Sequence, residues 1–254
     1  MAKKFTVEWE YNGEVDVNPG YAFYGMLSNK LDSELSDLLH QQERVVMSQY
    51  VKYDNRTQRA VWTLSCFDDR LEQQIEDILK DRKVDIRGKE YHMVQKTEIL
   101  IPGEREIFYE AGMRYGEARQ YRIYFHSPAT FKQNGEYVLF PTAELVMQSL
   151  IMRWNKIFPK VPVNDEDAVR QILIGTKITA YKLESSYYPM KNMFTKGFRG
   201  YIMIKFYLPE PLRILAQALL YFGNWCGVGA KTALGMGGVC VELIGGKECG
   251  ANRQ

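Results

Sequence analysis

The 254-residue chain has few of the side chains that most often hold metals or close disulfides: three histidines and four cysteines. Cys66, Cys226, Cys240 and Cys249 form no C-x-x-C pair and have no histidine close by in sequence. Their spacing supports neither a zinc site nor a redox pair, and no metal or cofactor is expected. Long apolar runs are missing too: no segment is long enough to span a bilayer, and Met-Ala-Lys-Lys leads straight into a strand-like segment with no apolar leader. A reduced, soluble, cytoplasmic protein that does not associate with membranes is the expectation. The chain also lacks a charge excess, since its formal net charge of +2 is too small to mark a nucleic-acid binder by itself.

The charge is unevenly distributed. From Ser185 to Val241 the one acid is Glu210, against Lys191, Lys196, Arg199, Lys205, Arg213 and Lys231. Within that basic quarter lies Gly227-Val228-Gly229-Ala230-Lys231-Thr232-Ala233-Leu234-Gly235-Met236-Gly237-Gly238. Glycine admits backbone conformations closed to other residues, Lys231 adds a cation and Thr232 a hydroxyl, a combination suited to phosphate. A nucleotide loop of the form G-x-x-x-x-G-K-[ST] fails because Ala230 precedes Lys231-Thr232. The dinucleotide fingerprint G-x-G-x-x-G fails as well: Thr232 stands at its third glycine, and the loop follows a helical pattern instead of opening one.

Hydrophobic periodicity divides the chain into two similar halves. Phe5, Val7 and Trp9 alternate as a strand, and Asn18-Pro19 opens a helix in which Tyr24, Leu27, Leu31, Leu35 and Leu38 recur down to His40. Two strands, 45–53 and 58–66, a helix over 69–79 and a strand-like stretch over 83–101, broken at Gly88, complete the first half. In the second half a strand over 120–126, a helix capped by Thr142, strands over 177–183 and 201–208, a helix from Pro211 and a strand over 238–243 repeat that order. The pattern predicts an α+β chain of two tandem ferredoxin-like β-α-β-β-α-β (RRM-like) units, dividing into residues 1–110 and 111–254.

Three features fall at matching stations of this doubled fold: the glycine loop between the last helix and last strand, Ser127-Pro128 closing the first strand of the second unit, and Leu39-His40 ending the first helix. Together they resemble the CRISPR-repeat endoribonucleases, the Cas six family of the RAMP superfamily, over the full length. The resemblance implies a protein that binds the repeat of a precursor CRISPR transcript and cuts it once per repeat to give guide RNAs. Its implied partner is that repeat RNA, with association in a CRISPR effector complex, and a monomeric or homodimeric state, left open.

Metal-independent RNA cleavage needs a base for the 2′-hydroxyl, an acid for the leaving 5′-oxygen and cations for the phosphorane. His40, at a helix C-terminus where the dipole favours the protonated form, is the candidate acid or base. The resemblance adds Tyr24 for orientation, and Arg44 is the nearest counterpart of the family's third, cationic group. His92 reads as a sheet-face residue and His126 as a strand end. The glycine-loop residues Gly227, Gly229, Lys231, Thr232, Gly235 and Gly237 are candidates for RNA phosphate binding. So are Lys191, Lys196 and Arg199 of the segment 187–199, a hairpin tip where Tyr187, Phe194 or Phe198 are candidates to stack on bases. The alternative reading is a non-cleaving RNA-binding RAMP subunit of an effector complex.

Overall fold

The computed structural model describes residues 2–12, 19–40, 45–54, 56–190 and 193–244, for His40 and Met193 the backbone alone. Strand β1 (Lys3–Tyr11) buries Phe5, Val7, Trp9 and Tyr11 on one face, as its alternation requires. It is followed by helices α1 (Pro19–Lys30) and α2 (Ser33–His40), strands β2 (Met47–Asp54) and β3 (Arg59–Cys66), helix α3 (Asp69–Lys80) and the hairpin β4 (Lys83–Ile86) and β5 (Lys89–Leu100). They form a five-stranded sheet ordered β2-β3-β1-β5-β4.

After α4 (Glu104–Tyr115) the second unit begins with β6 (Gln120–Ala129), a small hairpin of β7 (Phe131–Gln133) and β8 (Glu136–Val138), and helices α5 (Ala143–Ile157) and α6 (Glu166–Gly175). Long strands β9 (Thr176–Met190) and β10 (Met193–Phe206), helix α7 (Glu210–Cys226) and β11 (Val239–Leu243) complete a sheet ordered β11-β6-β10-β9. In each sheet the unit's first strand lies between its third and its last, antiparallel to both. That order is the ferredoxin-like one, written twice.

Several elements depart from the sequence expectation. The first helix is two helices, because the Asp32 carboxylate accepts the Leu35 amide at 2.8 Å and starts a new one. Tyr24 and His40 therefore sit on different helices. The strands expected over 177–183 and 201–208 are longer than read, extending as β9 to Met190 and as β10 back to Met193, and pair into the hairpin with Arg199 opposite Glu184 and Lys196 opposite Tyr187. Helix α4 and the β7–β8 hairpin add to the expected elements, and α6 starts at the Asp165–Asp167 acidic cluster, whose Asp165 carboxylate accepts the Ala168 amide. Thr142 caps α5 as expected, accepting the Leu145 amide at 3.1 Å. Cys66 and Cys226 are free and buried, and Cys240 is disulfide-bonded, unlike the reduced state expected. No helix among the described residues is long and apolar enough to cross a membrane.

Each sheet carries its own core. One runs from Phe5 to Met93, and the other from Ile101 to Val241 includes Ile107, Ala111 and Tyr115 of α4. The division expected at 110/111 falls inside that helix. The units meet where Gln49 of β2, fully buried, reaches the glycine loop: its amide donates to Thr232 O (3.0 Å), and its Nε2 to Ala233 O (3.0 Å) and Gly20 O (2.8 Å). The Trp62 indole N–H holds the Gln49 Oε1 at 3.0 Å, so every polar atom of that side chain has a partner.

Candidate active site

The glycine loop packs against the second unit. The amides of Gly227, Gly229, Gly235 and Gly237, expected to face phosphate, are donated instead to Gly223 O (3.0 Å), Ser149 Oγ (2.8 Å), Thr232 O (3.3 Å) and Pro128 O (2.8 Å). Ser127 Oγ accepts the Gly238 amide at 2.9 Å, so the Ser127-Pro128 pair ties the loop to the end of β6. At Gly229 (φ +88°) and Gly237 (φ +66°) a Cβ would strike the carbonyl oxygens of Thr130 and Val228. Glycine there permits close backbone packing. Thr232 is buried, its methyl against Gly227 and Gly237, so its side chain contributes packing too.

One stretch of the loop keeps donors free. Among the described residues no acceptor meets the amides of Lys231, Thr232 and Ala233, and Lys231 adopts a left-handed φ of +62°. Successive unpaired amides next to a left-handed residue form an anion-binding concavity. The Lys231 ammonium lies 5.3 Å above the Tyr137 ring and 3.9 Å from Met190 Sδ, with no carboxylate against it among the described residues.

These residues line a cleft of about 650 Å³ that extends from the loop to the first helices. Tyr24 of α1, Leu39 of α2 and Val45 to Met47 form one wall; Gln148, Ser149, Met152, Arg153 and Lys156 of α5 form the other. Among the described residues the lining holds four cations, Lys132, Arg153, Lys156 and Lys231, and no carboxylate. A groove of about 800 Å³ beside α6 carries Glu144 and Glu166 and suits an anion less well. Burial pushes the Tyr24 phenol up to about 12, with Tyr21 adding to the shift, so at neutral pH it is a hydrogen-bond donor and not a base.

His40 closes α2 next to Leu39, and Leu39 lines the cleft. Arg44 and Lys191 lie outside the described residues. Neither other histidine lines the cleft: His92 is exposed and meets Glu90 Oε1 at 2.9 Å, and His126 stacks on Tyr50. Burial first, then Lys52 and Lys4, push His126 down to about 3, so it stays neutral. Among the described residues no group of three His, Cys, Asp or Glu side chains is placed to hold a metal.

On the β9–β10 hairpin, Tyr187 (65% exposed) and Phe194 (73%) are open to solvent, as are Lys196 and Arg199. Phe198 is core, packed at 4.8 Å on Phe125, and cannot stack on a base without leaving it. Arg213, counted in the basic quarter, is buried and donates to Gly116 O at 2.7 Å. Sequence reasoning missed Ser149, Arg153, Lys132 and Lys156. A Ser and an Arg four residues apart on the apolar side of α5 were the available signal for the first two.

The profile of the CRISPR-associated endoribonuclease Cas6 family matches residues 123–239. A CRISPR-associated endoribonuclease Cas6 of Streptococcus thermophilus is 31% identical over 87% of this chain and 90% of its own length. One from Mycobacterium tuberculosis is 29% identical over 52% of this chain and 42% of its length. Among solved structures, a Cas6 product complex superposes with a TM-score of 0.77 at 19% identity, covering 95% of this chain and 100% of that one. For Thermus thermophilus Cas6 the TM-score is 0.72 at 19% identity, covering 95% and 98%. The identity and coverage of the streptococcal relative, with the doubled ferredoxin-like fold, show that this chain belongs to the CRISPR-associated endoribonuclease Cas6 family.

Proposed function

We propose that this chain binds CRISPR repeat RNA in the cleft and cuts precursor transcripts into guide RNAs without a metal, by attack of the 2′-oxygen on the adjacent phosphate. The products are a 2′,3′-cyclic phosphate (or 3′-phosphate) and a 5′-hydroxyl. The observation that carries the reading is that Tyr24 and the end of α2 share one cleft with the free amides and Lys231 of the glycine loop. The substrate's charge is negative throughout, and the described lining is cationic without a carboxylate.

In this mechanism His40 moves a proton, either from the 2′-hydroxyl or to the leaving oxygen, and the C-terminal end of α2 favours its charged form. Tyr24, protonated at neutral pH, donates a hydrogen bond that orients the reacting phosphate. Arg44 and the loop offset charge on the phosphorane. Lys191, Lys196 and Arg199, with Tyr187 and Phe194, hold flanking nucleotides on the hairpin. The N-terminal unit thus supplies proton transfer and the C-terminal unit the RNA grip.

Repeat-RNA cleavage in EDTA by the wild type and by His40→Ala tests the reading. The wild type is expected to cut with chelator present, and His40→Ala to lose about 10²- to 10⁴-fold in rate while RNA affinity is retained. Loss of wild-type cutting in chelator, or full activity of the alanine variant, overturns it. Tight binding with no product from any repeat identifies a non-cleaving subunit of an effector complex instead.

A further inference from the structure

We infer that Arg153 anchors a backbone phosphate of the RNA from beneath the glycine loop, an inference that rests on the cleft being the RNA site. Ser149 and Arg153 stand one helical turn apart on α5 and grip the two backbone groups of a single residue. Gly229 donates its amide to Ser149 Oγ at 2.8 Å, and Arg153 Nη2 donates to the Gly229 carbonyl at 2.6 Å. The glycine loop therefore leaves this clamp with a fixed direction, and its free amides follow two residues later.

The charge on Arg153 exceeds what the clamp needs. Its side chain is 95% buried, Gly229 O is its one acceptor among the described residues, and Nε is enclosed with none. Among the described residues no carboxylate pairs with it, and burial pulls its pKa below the usual arginine range. A buried cation without an anion is costly. Arg213, equally buried and also with an unpartnered Nε, differs in its charge balance: it meets Gly116 O, the Gln217 side chain at 3.3 Å and the Glu210 carboxylate at 3.8 Å. Arg153 instead lines the cleft beside Lys231, Lys132 and Lys156. Its missing counter-charge is an anion that arrives with the ligand, and guanidinium is the group best shaped to take a phosphate while keeping a carbonyl.

The test is binding of a repeat RNA carrying a 2′-deoxy nucleotide at the cut site, over a salt series, by the wild type, Arg153→Met, Arg153→Lys and Ser149→Ala. Removing one phosphate contact to a single strand lowers the slope of log affinity against log salt by about 0.7. Arg153→Met is expected to show that loss and to bind about tenfold or more weaker. Arg153→Lys and Ser149→Ala, which keep the charge, are expected to retain the wild-type slope. An Arg153→Met slope equal to wild type overturns the inference alone and leaves Arg153 a loop clamp. Failure of the wild type to bind overturns the cleft reading with it. Should Arg153→Met not fold, Arg153→Gln enters the same slope measurement with the same two outcomes.

Discussion

The glycine loop and the β9–β10 hairpin have similar sequence credentials for phosphate, glycine and lysine in one and lysine, arginine and aromatics in the other, yet their surroundings are opposite. The loop is wedged between α5, the end of β6 and Gln49 of the other unit, and most of its amides are donated to the protein. Along the hairpin, Tyr187, Phe194 and Lys196 stand in solvent. The same residue types serve different ends. In the loop, glycine secures a close fit that aims three amides and a lysine; on the hairpin, side chains are free to meet a ligand directly.

Six substitutions would break or sharpen this contrast. Gly237→Ala forces a Cβ onto the Val228 carbonyl at positive φ and is expected to cost on the order of 4 kcal/mol in urea unfolding, with RNA cleavage lost. Gly112→Ala, on the exposed face of helix α4 with open space around it, should instead gain up to about 1 kcal/mol. If Gly237→Ala unfolds like wild type, the loop is not the wedge described.

Gln49→Leu strands the Gly20 and Ala233 carbonyls and the Trp62 indole, an expected loss of about 3 kcal/mol that would also free the loop from the N-terminal unit. Hydrogen exchange of the hydrogen-bonded Leu234 to Gly237 amides should rise with it; protection unchanged from wild type would mean that the loop needs no help from the Gln49 side chain. On the hairpin, Tyr187→Ala and Phe194→Ala should each weaken RNA binding by about 1–3 kcal/mol if a base stacks there, while unfolding moves by less than about 0.5 kcal/mol. Unchanged affinity would leave the hairpin aromatics without an RNA role.

Smallest at neutral pH is the effect of His126, which anchors the loop's end through its amide to Gly238 O at 2.7 Å and is neutral at its stack on Tyr50. Its folded pKa, about 3, lies below the ordinary 6.5, so between these values the unfolded chain binds the extra proton. Stability linked to His126 is full above pH 6.5 and falls as pH drops toward 3. His126→Gln should flatten the pH dependence of unfolding across that window, and an unaltered slope would show that the imidazole is not held neutral.

Much of the fold was legible because its elements announce themselves locally. Alternation in Phe5-Val7-Trp9 and capping by Thr142 depend on near neighbours alone. Asp32 restarting a helix was a weaker local cue, masked by the continuing leucine spacing through Leu31, Leu35 and Leu38. Of the site, Tyr24 and the glycine loop were legible and come together on one cleft. Ser149 and Arg153 were not, since an arginine in an apolar stripe gives no sign of the carbonyl it will meet 76 residues away.

The sequence by itself determined the doubled β-α-β-β-α-β order and the presence of a glycine loop before the last strand, since both are written in periodicity and backbone freedom over short spans. Only the tertiary structure decided what the glycines are for. Whether an amide faces a ligand or a neighbouring strand depends on which distant acceptors, Ser149, Pro128 and Ser127 among them, the fold delivers to it. Hydrogen-bond satisfaction is a long-range property that no local pattern records.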